Sequence, residues 1–348
     1  MNKLRILTLG AGAIGTYIGG SLAIAGHEVV FLERPQVAAD LKSRGLRLAI
    51  QDGEHHIPDP VVVDSIEEAL APSTGSGRDF DIALFALKSY HTQTFLDSLP
   101  APRPPLPPIL CLSNGVANEP AIAEALGAEK VIAGTVTTSI GRRAAGDIVL
   151  ERLRGVGISG EHLLSKQLGA ALNDAGLNAR LYPRAADMKW SKMLTNLVAN
   201  ASAASLDMTP AEIFAHPGLF RLEITQLREA LKVMKAQGIG VVDLPGTPVK
   251  ALAFAAQYLP LSISRPLMGK AVGGGRGGKM PSFHIDLHSG GGKSEVDYLN
   301  GAVVRTGEKL GIPTPVNRLL TETLLGLTNS DIPIETYRHQ PEKFLAKL

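Results

Sequence analysis

A chain of 348 residues is long for one ordinary core and suits two domains. With 45% hydrophobic and 20% charged residues its composition is globular, and 35 Lys and Arg against 33 Asp and Glu exclude a broad field for nucleic acid or an anionic membrane. Cys111, the single cysteine, excludes an internal disulfide or a thiolate metal cluster and points to a reducing, cytoplasmic setting.

Residues 6–26 carry no charge, which superficially resembles a leader or a membrane span. Glycines at 10, 12, 15, 19, 20 and 26 argue against one long apolar helix. The stretch reads instead as a strand (4–9), a glycine turn and a helix (14–25), followed by a strand over 28–33. Neither export nor a membrane anchor is expected. Gly10-Ala11-Gly12-Ala13-Ile14-Gly15 fits G-x-G-x-x-G between that strand and that helix. Gly10 permits the tight turn, Gly12 lets backbone approach a pyrophosphate, and Gly15 lets helix and strand pack closely. The helix N-terminus adds free N–H groups and a positive dipole end. Glu33 closes the second strand, where an acid accepts from ribose hydroxyls and favours NAD, whereas Arg34 beside it suits a 2′-phosphate. The residues alone leave that choice open.

Further strands are expected at 61–63, 82–87, 109–112 and 131–138, with Cys111 as a buried small residue in the third of these. Loops rich in Ser, Gly and Pro fill 71–79 and 99–108. From 147 to 181 the pattern predicts two strands, a helix (161–175) and a closing strand (178–181). Such alternation builds a parallel sheet covered by helices.

Beyond Pro183 helical periodicity takes over, at 185–205, 217–237, 248–259, 296–310 and 315–327. Residues 1–183 are therefore expected to form a dinucleotide-binding domain and 184–348 a helical domain for substrate and catalysis. Glycine clusters at 273–278 and 290–292 read as flexible loop. On the first of these helices Lys192, Asn196 and Asn200 recur every four residues and stack on one face, among Trp190, Met193, Leu194 and Leu197. Burying an amide without a partner costs about 1–3 kcal/mol, and a small polar ligand on that face relieves the cost. A lysine there can protonate a developing alkoxide. Glu295 falls in the first turn of a helix starting near 293, where compensation of the helix dipole is the plain reading. Ser282 and Asp286, four apart, suit capping or turn roles. His55, His56, His284 and His288 lack the H-E-x-x-H pattern and read as surface or helix-face histidines, so no metal is expected.

Taken together, these residues resemble the ketopantoate reductase (2-dehydropantoate 2-reductase) family, from Arg5 to about Thr314. The resemblance rests on the glycine turn, Lys88-Ser89, Asn114-Gly115, Trp190-x-Lys192-x-x-x-Asn196-x-x-x-Asn200, Pro281-Ser282 and Glu295 to Gly301. It implies an α/β fold: an N-terminal Rossmann-type doubly wound parallel sheet, then an all-helical domain like the C-terminal domain of 6-phosphogluconate dehydrogenase. It makes Lys192 the proton donor, with Glu295 closing the site as a second catalytic and cofactor-side group. Asn114, Lys192, Asn196, Asn200 and Ser282 would hold the substrate. Gly10 to Gly15, Glu33, Arg34, Lys88, Asn114 and Ile140 would hold the cofactor. Arg34 tilts the choice to NADP, with NAD kept open by Glu33. Pro210 departs from the family, which often has an asparagine there.

The expected reaction is NADPH-dependent reduction of ketopantoate to (R)-pantoate, in pantothenate and coenzyme A formation. The expected partner is a small 2-oxo acid, with no nucleic acid or membrane, and a homodimer is left open. The alternatives are a related hydroxyacid dehydrogenase acting on another 2-oxo acid, and a nucleotide-sensing module without catalysis.

Overall fold

The computed structural model describes residues 3–276, 279–289 and 292–348, with the backbone alone for 271–276. The chain divides into two compact units, Met1–Lys189 with Leu244–Thr247, and Trp190–Asp243 with Pro248–Leu348.

Among the described residues the first unit carries twelve strands: β1 (Arg5–Leu9), β2 (Glu28–Leu32), β3 (Leu46–Ile50), β4 (Gly53–Ile57), β5 (Val61–Val63), β6 (Ile82–Phe85), β7 (Ile109–Cys111), β8 (Val131–Val136), β9 (Ser139–Ala144), β10 (Asp147–Arg152), β11 (Val156–Ser159) and β12 (Ala179–Tyr182). Its helices are α1 (Ala13–Ile24), α2 (Pro35–Arg44), α3 (Ile66–Leu70), α4 (Thr92–Ser98), α5 (Asn118–Leu126) and α6 (Ser165–Asp174). The main sheet runs β12-β11-β8-β7-β6-β1-β2-β5. β1, β6 and β7 are buried throughout, as strands covered on both faces must be, which explains their continuous apolar runs. The order reverses between β1 and β6, and crevices at such switch points hold ligands beyond the carboxyl ends of the strands.

The sheet is not wholly parallel, because β8 and β11 pair antiparallel. No crossover helix joins them; the chain leaves β8 into the β9–β10 hairpin and returns directly. That hairpin belongs to a second sheet, β4-β3-β10-β9, which the periodicity did not predict. A signal for part of it existed: Leu46, Leu48 and Ile50 alternate up to Gln51-Asp52, the two-residue turn of a hairpin in which Ile50 pairs with Gly53. α1 packs against strands of both sheets. Leu244 and Thr247 bond to each other by both backbone groups, and the Pro245 carbonyl accepts from Thr137 Oγ1 at 2.9 Å.

α7 (Ala185–Leu197) begins in the first unit and ends in the second, which continues with α8 (Ala201–Leu206), α9 (Pro210–Ala215), α10 (Pro217–Ala236), α11 (Val249–Tyr258), α12 (Leu261–Arg276), α13 (Ser282–His288), α14 (Val296–Lys309), α15 (Pro315–Thr328) and α16 (Pro341–Leu345). The single helix expected over 185–205 is thus two, with a turn at 198–200. Pro210 is the first residue of α9, whose start is a capping box between Thr209 and Glu212. The loop expected at 273–278 is helical as far as Arg276; Gly277, Gly278, Gly290 and Gly291 lie outside the described residues.

The twenty-residue α10 packs against α9, α11, α14, α15 and α16. Its face carries buried polar residues that bond one another. Gln226 Oε1 accepts from Asn300 Nδ2 at 3.1 Å, and Asn300 Nδ2 also reaches Asn317 Oδ1 at 3.1 Å. The Glu229 carboxylate accepts the Val316 and Asn317 N–H groups at 3.0 Å each, which satisfies the start of α15. Burial pushes the Glu229 carboxyl up, and the N–H groups of Asn317 and Val316 pull it back.

Candidate active site

The glycine turn is held from three sides. The Ala11 N–H donates to Glu33 Oε1 at 2.7 Å, while its carbonyl accepts from Thr16 Oγ1 at 2.9 Å and from the Gly146 N–H at 3.3 Å. Gly146 turns the β9–β10 hairpin, so the second sheet braces the turn. Gly10 sits at φ +94°, a conformation that disfavours side chains. A Cβ on Gly15 would lie 1.8 Å from the Gly10 carbonyl oxygen, whereas one on Gly12 would meet nothing within 4 Å. The turn is thus tight beneath and open above. α1 starts there with no side-chain cap and no acid in its first turn, leaving its first N–H groups for an anion. These features fit the pyrophosphate of a dinucleotide. Ile140 lies on β9, half-buried against the core beside α1.

Lys88 and Asn114 follow β6 and β7, neighbours in the sheet, and the loops bearing them are stitched together. Ser89 Oγ donates to the Asn114 carbonyl at 2.8 Å, Ser113 Oγ to the Leu87 carbonyl at 2.7 Å, and Asn118 Nδ2 to the Asn114 carbonyl at 2.6 Å. Lys189 was not singled out by sequence reasoning, yet it is buried here. Its Nζ donates to the carbonyls of Ser113 (2.7 Å) and Gly134 (3.2 Å) and pairs with Glu119 at 2.7 Å. One turn before Lys192, it ties the start of α7 to the loop that carries Asn114. Only its place three residues before another lysine hinted at it.

Cys111 is fully buried in β7, and burial together with the nearby Glu119 charge pushes its thiol up. A thiol reagent is therefore expected to titrate no thiol in the native protein and one after denaturation; rapid native labelling would contradict this burial.

In the second unit Lys192 and Asn196 lie one turn apart on the same face of α7. Asn200 does not continue that helix. Ala199 takes a left-handed conformation (φ +49°), and Asn200 becomes the cap of α8. The cause is Glu223 on α10, which sequence reasoning missed. Its buried carboxylate accepts the Ala199 N–H at 2.7 Å, Ser202 Oγ at 2.5 Å and Gln226 Nε2 at 2.6 Å. The turn brings Asn200 to Ser282, the first residue of α13. Asn200 Nδ2 donates to the Asn196 carbonyl at 3.1 Å and to Ser282 Oγ at 3.4 Å, and its Oδ1 accepts the Phe283 N–H at 3.1 Å. Glu295 is 1% exposed and immediately precedes α14 rather than lying in its first turn. Asn300 of the same motif serves the buried network under α10.

Two family models cover this chain, Ketopantoate reductase PanE/ApbA over residues 6–160 and its C-terminal counterpart over 184–328. The chain belongs to the ketopantoate reductase PanE/ApbA family. As a member it is an NAD(P)-dependent oxidoreductase. The 2-dehydropantoate 2-reductase of Archaeoglobus fulgidus is 26% identical over 335 residues, covering 94% of this chain and 99% of that one. The 2-dehydropantoate 2-reductase of Streptococcus pyogenes serotype M1 is 23% identical, over 92% and 96%. Among solved structures, the PanE/ApbA family ketopantoate reductase of Ralstonia eutropha JMP134 superposes with a TM-score of 0.77 at 25% identity, covering 94% of this chain and 99% of that one. D-mandelate dehydrogenase bound to NADH and anilino(oxo)acetate shares the fold at a TM-score of 0.73 and 22% identity, with the same coverage.

The first family region contains the glycine turn and both stitched loops, and the second contains Lys192, Asn196, Asn200, Ser282 and Glu295. Among the described residues no helix is long and apolar enough to cross a membrane.

Proposed function

We propose that this chain reduces 2-dehydropantoate to (R)-pantoate with NADPH, in the cytoplasmic formation of pantothenate, residues 1–183 serving the dinucleotide and 184–348 the substrate. The observation that carries the reading is the polar group of α7, α8 and α13: Lys192 and Asn196 on one helix face, and Asn200 bonded to Ser282. A 2-oxo acid with a hydroxyl offers oxygens for such a set.

The glycine turn would hold the pyrophosphate of a reduced dinucleotide, whose nicotinamide would supply the hydride. Lys192 stabilises the charge that grows on the C2 oxygen and gives that oxygen its proton. Asn196, Asn200 and Ser282 hold the substrate carboxylate and hydroxyl, Asn114 serves both nicotinamide and substrate, Lys88 serves the cofactor, and Glu295 closes the site. Gly10 to Gly15 take the pyrophosphate, with Ile140 flanking the nucleotide. Gly12→Ala is expected to stay within about 0.5 kcal/mol of wild-type stability, because nothing lies within 4 Å of the added methyl. Its dinucleotide affinity should fall by about tenfold or more, that is about 1.4 kcal/mol, because the methyl takes the space of a phosphate. Unchanged affinity in a calorimetric titration would remove the turn from the site.

For the nucleotide, Arg34 caps α2, whose first turn has no acid and no side-chain cap, and both features suit a 2′-phosphate. Arg34→Ala is expected to raise KM for NADPH about tenfold and to leave KM for NADH nearly unchanged; equal effects on both would count against NADPH. A second reading, reduction of a different 2-oxo acid with NADH, is favoured by Glu33, whose carboxylate caps the second strand and bonds the Ala11 N–H. Initial rates with NADPH and NADH across ketopantoate and other 2-oxo acids separate the two. The first reading fails if ketopantoate is among the slower substrates. No oxidation of either nucleotide with any of them would favour a sensing module.

A further inference from the structure

The far end of the α8–α13 pair carries a cluster that the proposed reaction does not use. α8 ends at Asp207, which sits in a left-handed conformation (φ +50°). His284 and His288, one turn apart on α13, face it with ring centroids 4.1 Å apart. His284 Nε2 lies 2.6 Å from Asp207 Oδ1 and His288 Nε2 4.0 Å from the same oxygen. One ligand atom from each of the three residues lies within 4.8 Å of the others.

We propose that Asp207, His284 and His288 form a binding site for a divalent transition ion of the zinc class. In a tetrahedral site with bonds near 2.0–2.1 Å, ligand atoms stand about 3.3 Å apart. The two distances to Asp207 Oδ1 bracket that value, so movements of well under 1 Å on each side, within reach of side-chain rotation, open the room. Two imidazoles and one carboxylate are a donor set that such ions favour. Arg338 Nε holds the other carboxylate oxygen, Oδ2, at 3.0 Å, which orients Oδ1 as an outer partner of a metal ligand does. The same guanidinium is shared with Glu335 at 3.2 Å, which offsets its charge.

A second observation points to a ligand. These residues line a cavity of about 290 Å³, together with Ser205 and Glu335. Ser205 is 2% exposed and its hydroxyl has no hydrogen-bond partner among the described residues. A water completing the coordination of the ion gives that hydroxyl its partner. The role is structural: the ion pins one end of α8 to α13, while Asn200 and Ser282 pin the other.

The test uses the full-length protein freed of metal with a chelator and titrated with Zn2+ by calorimetry and with Co2+ by visible absorption. One equivalent binding in the micromolar range is expected, with a rise in Tm and Co2+ bands of tetrahedral intensity. His288→Ala, at a partly exposed position, should keep the metal-free Tm and weaken binding by about tenfold to a hundredfold. The double variant H284Q/H288Q should lose the site. Absence of saturable binding would overturn the proposal and leave a plain ion-pair clasp of Asp207, His284 and Arg338. Undiminished binding in both variants would overturn it too, by assigning the metal to other histidines such as His55 and His56.

Discussion

Replacing Lys192 with alanine is expected to lower kcat by about 10³-fold, a barrier increase of about 4 kcal/mol, while dinucleotide affinity stays at the wild-type value. The magnitude follows from what is removed. A positioned general acid is worth about 10²–10⁴ in rate, and the ammonium also carries the charge that stabilises the nascent alkoxide. Apart from Glu295, the residues proposed for the nucleotide lie between Gly10 and Ile140, in the other compact unit, so their binding survives the change. Lys192→Arg separates the two contributions, because it keeps the positive charge but holds its proton too tightly to donate it. It should recover part of the loss, read as a kcat between those of the alanine variant and the wild type. Turnover within a few fold of wild type in the alanine variant would remove Lys192 from the chemistry.

Glu223→Ala is expected to cost about 3–5 kcal/mol of stability, measured as a lowered urea midpoint. Three donors, the Ala199 N–H, Ser202 Oγ and Gln226 Nε2, converge on this carboxylate inside the helical unit, and alanine leaves all three without it. Each buried donor left unpaired costs about 1–3 kcal/mol, and local relaxation recovers part. The effect also has a catalytic side. The left-handed turn at Ala199 depends on this bond, and the turn is what sets Asn200 against Ser282. Folded Glu223→Ala molecules should therefore show a raised KM for the 2-oxo acid with a smaller change in kcat. Glu223→Gln, which keeps one acceptor oxygen, should fall between. A variant that unfolds at the wild-type urea concentration would mean that the carboxylate does not hold the turn.

What the sequence discloses is what short-range chemistry determines. The glycine turn could be read because strand, turn and helix lie within about twenty residues and each glycine answers a local steric demand. Lys192 and Asn196 could be read because helix periodicity alone puts them on one face. The break at Ala199 could not, since it depends on an acid twenty-four residues away on another helix. Nothing in Val198-Ala199-Asn200 announces a left-handed residue, and an alanine-rich stretch favours continuing the helix. Lys189 escaped for a related reason: a lysine on a helix normally reads as a wet face, and its burial follows from the carbonyls of Ser113 and Gly134 and the carboxylate of Glu119 in other elements. The antiparallel joint of β8 and β11 depends on a hairpin that leaves the sheet, which local patterning does not encode. His284 and His288 were legible as a spaced pair, but Asp207 comes from another helix.

The excursion of Leu244–Thr247 bears on how this protein can be made and cut. A ribosome finishes the last strand of the main sheet at Tyr182, yet the peptide that seals Thr137 is synthesised some sixty residues later. Until then Thr137 Oγ1 has the Gly155 carbonyl, at 3.0 Å, but not that of Pro245, and the place beside Gly155 that Pro245 takes is unfilled. A chain terminated after Lys189 carries every strand of the nucleotide sheet but not its latch, so excision at a single point does not yield a finished module.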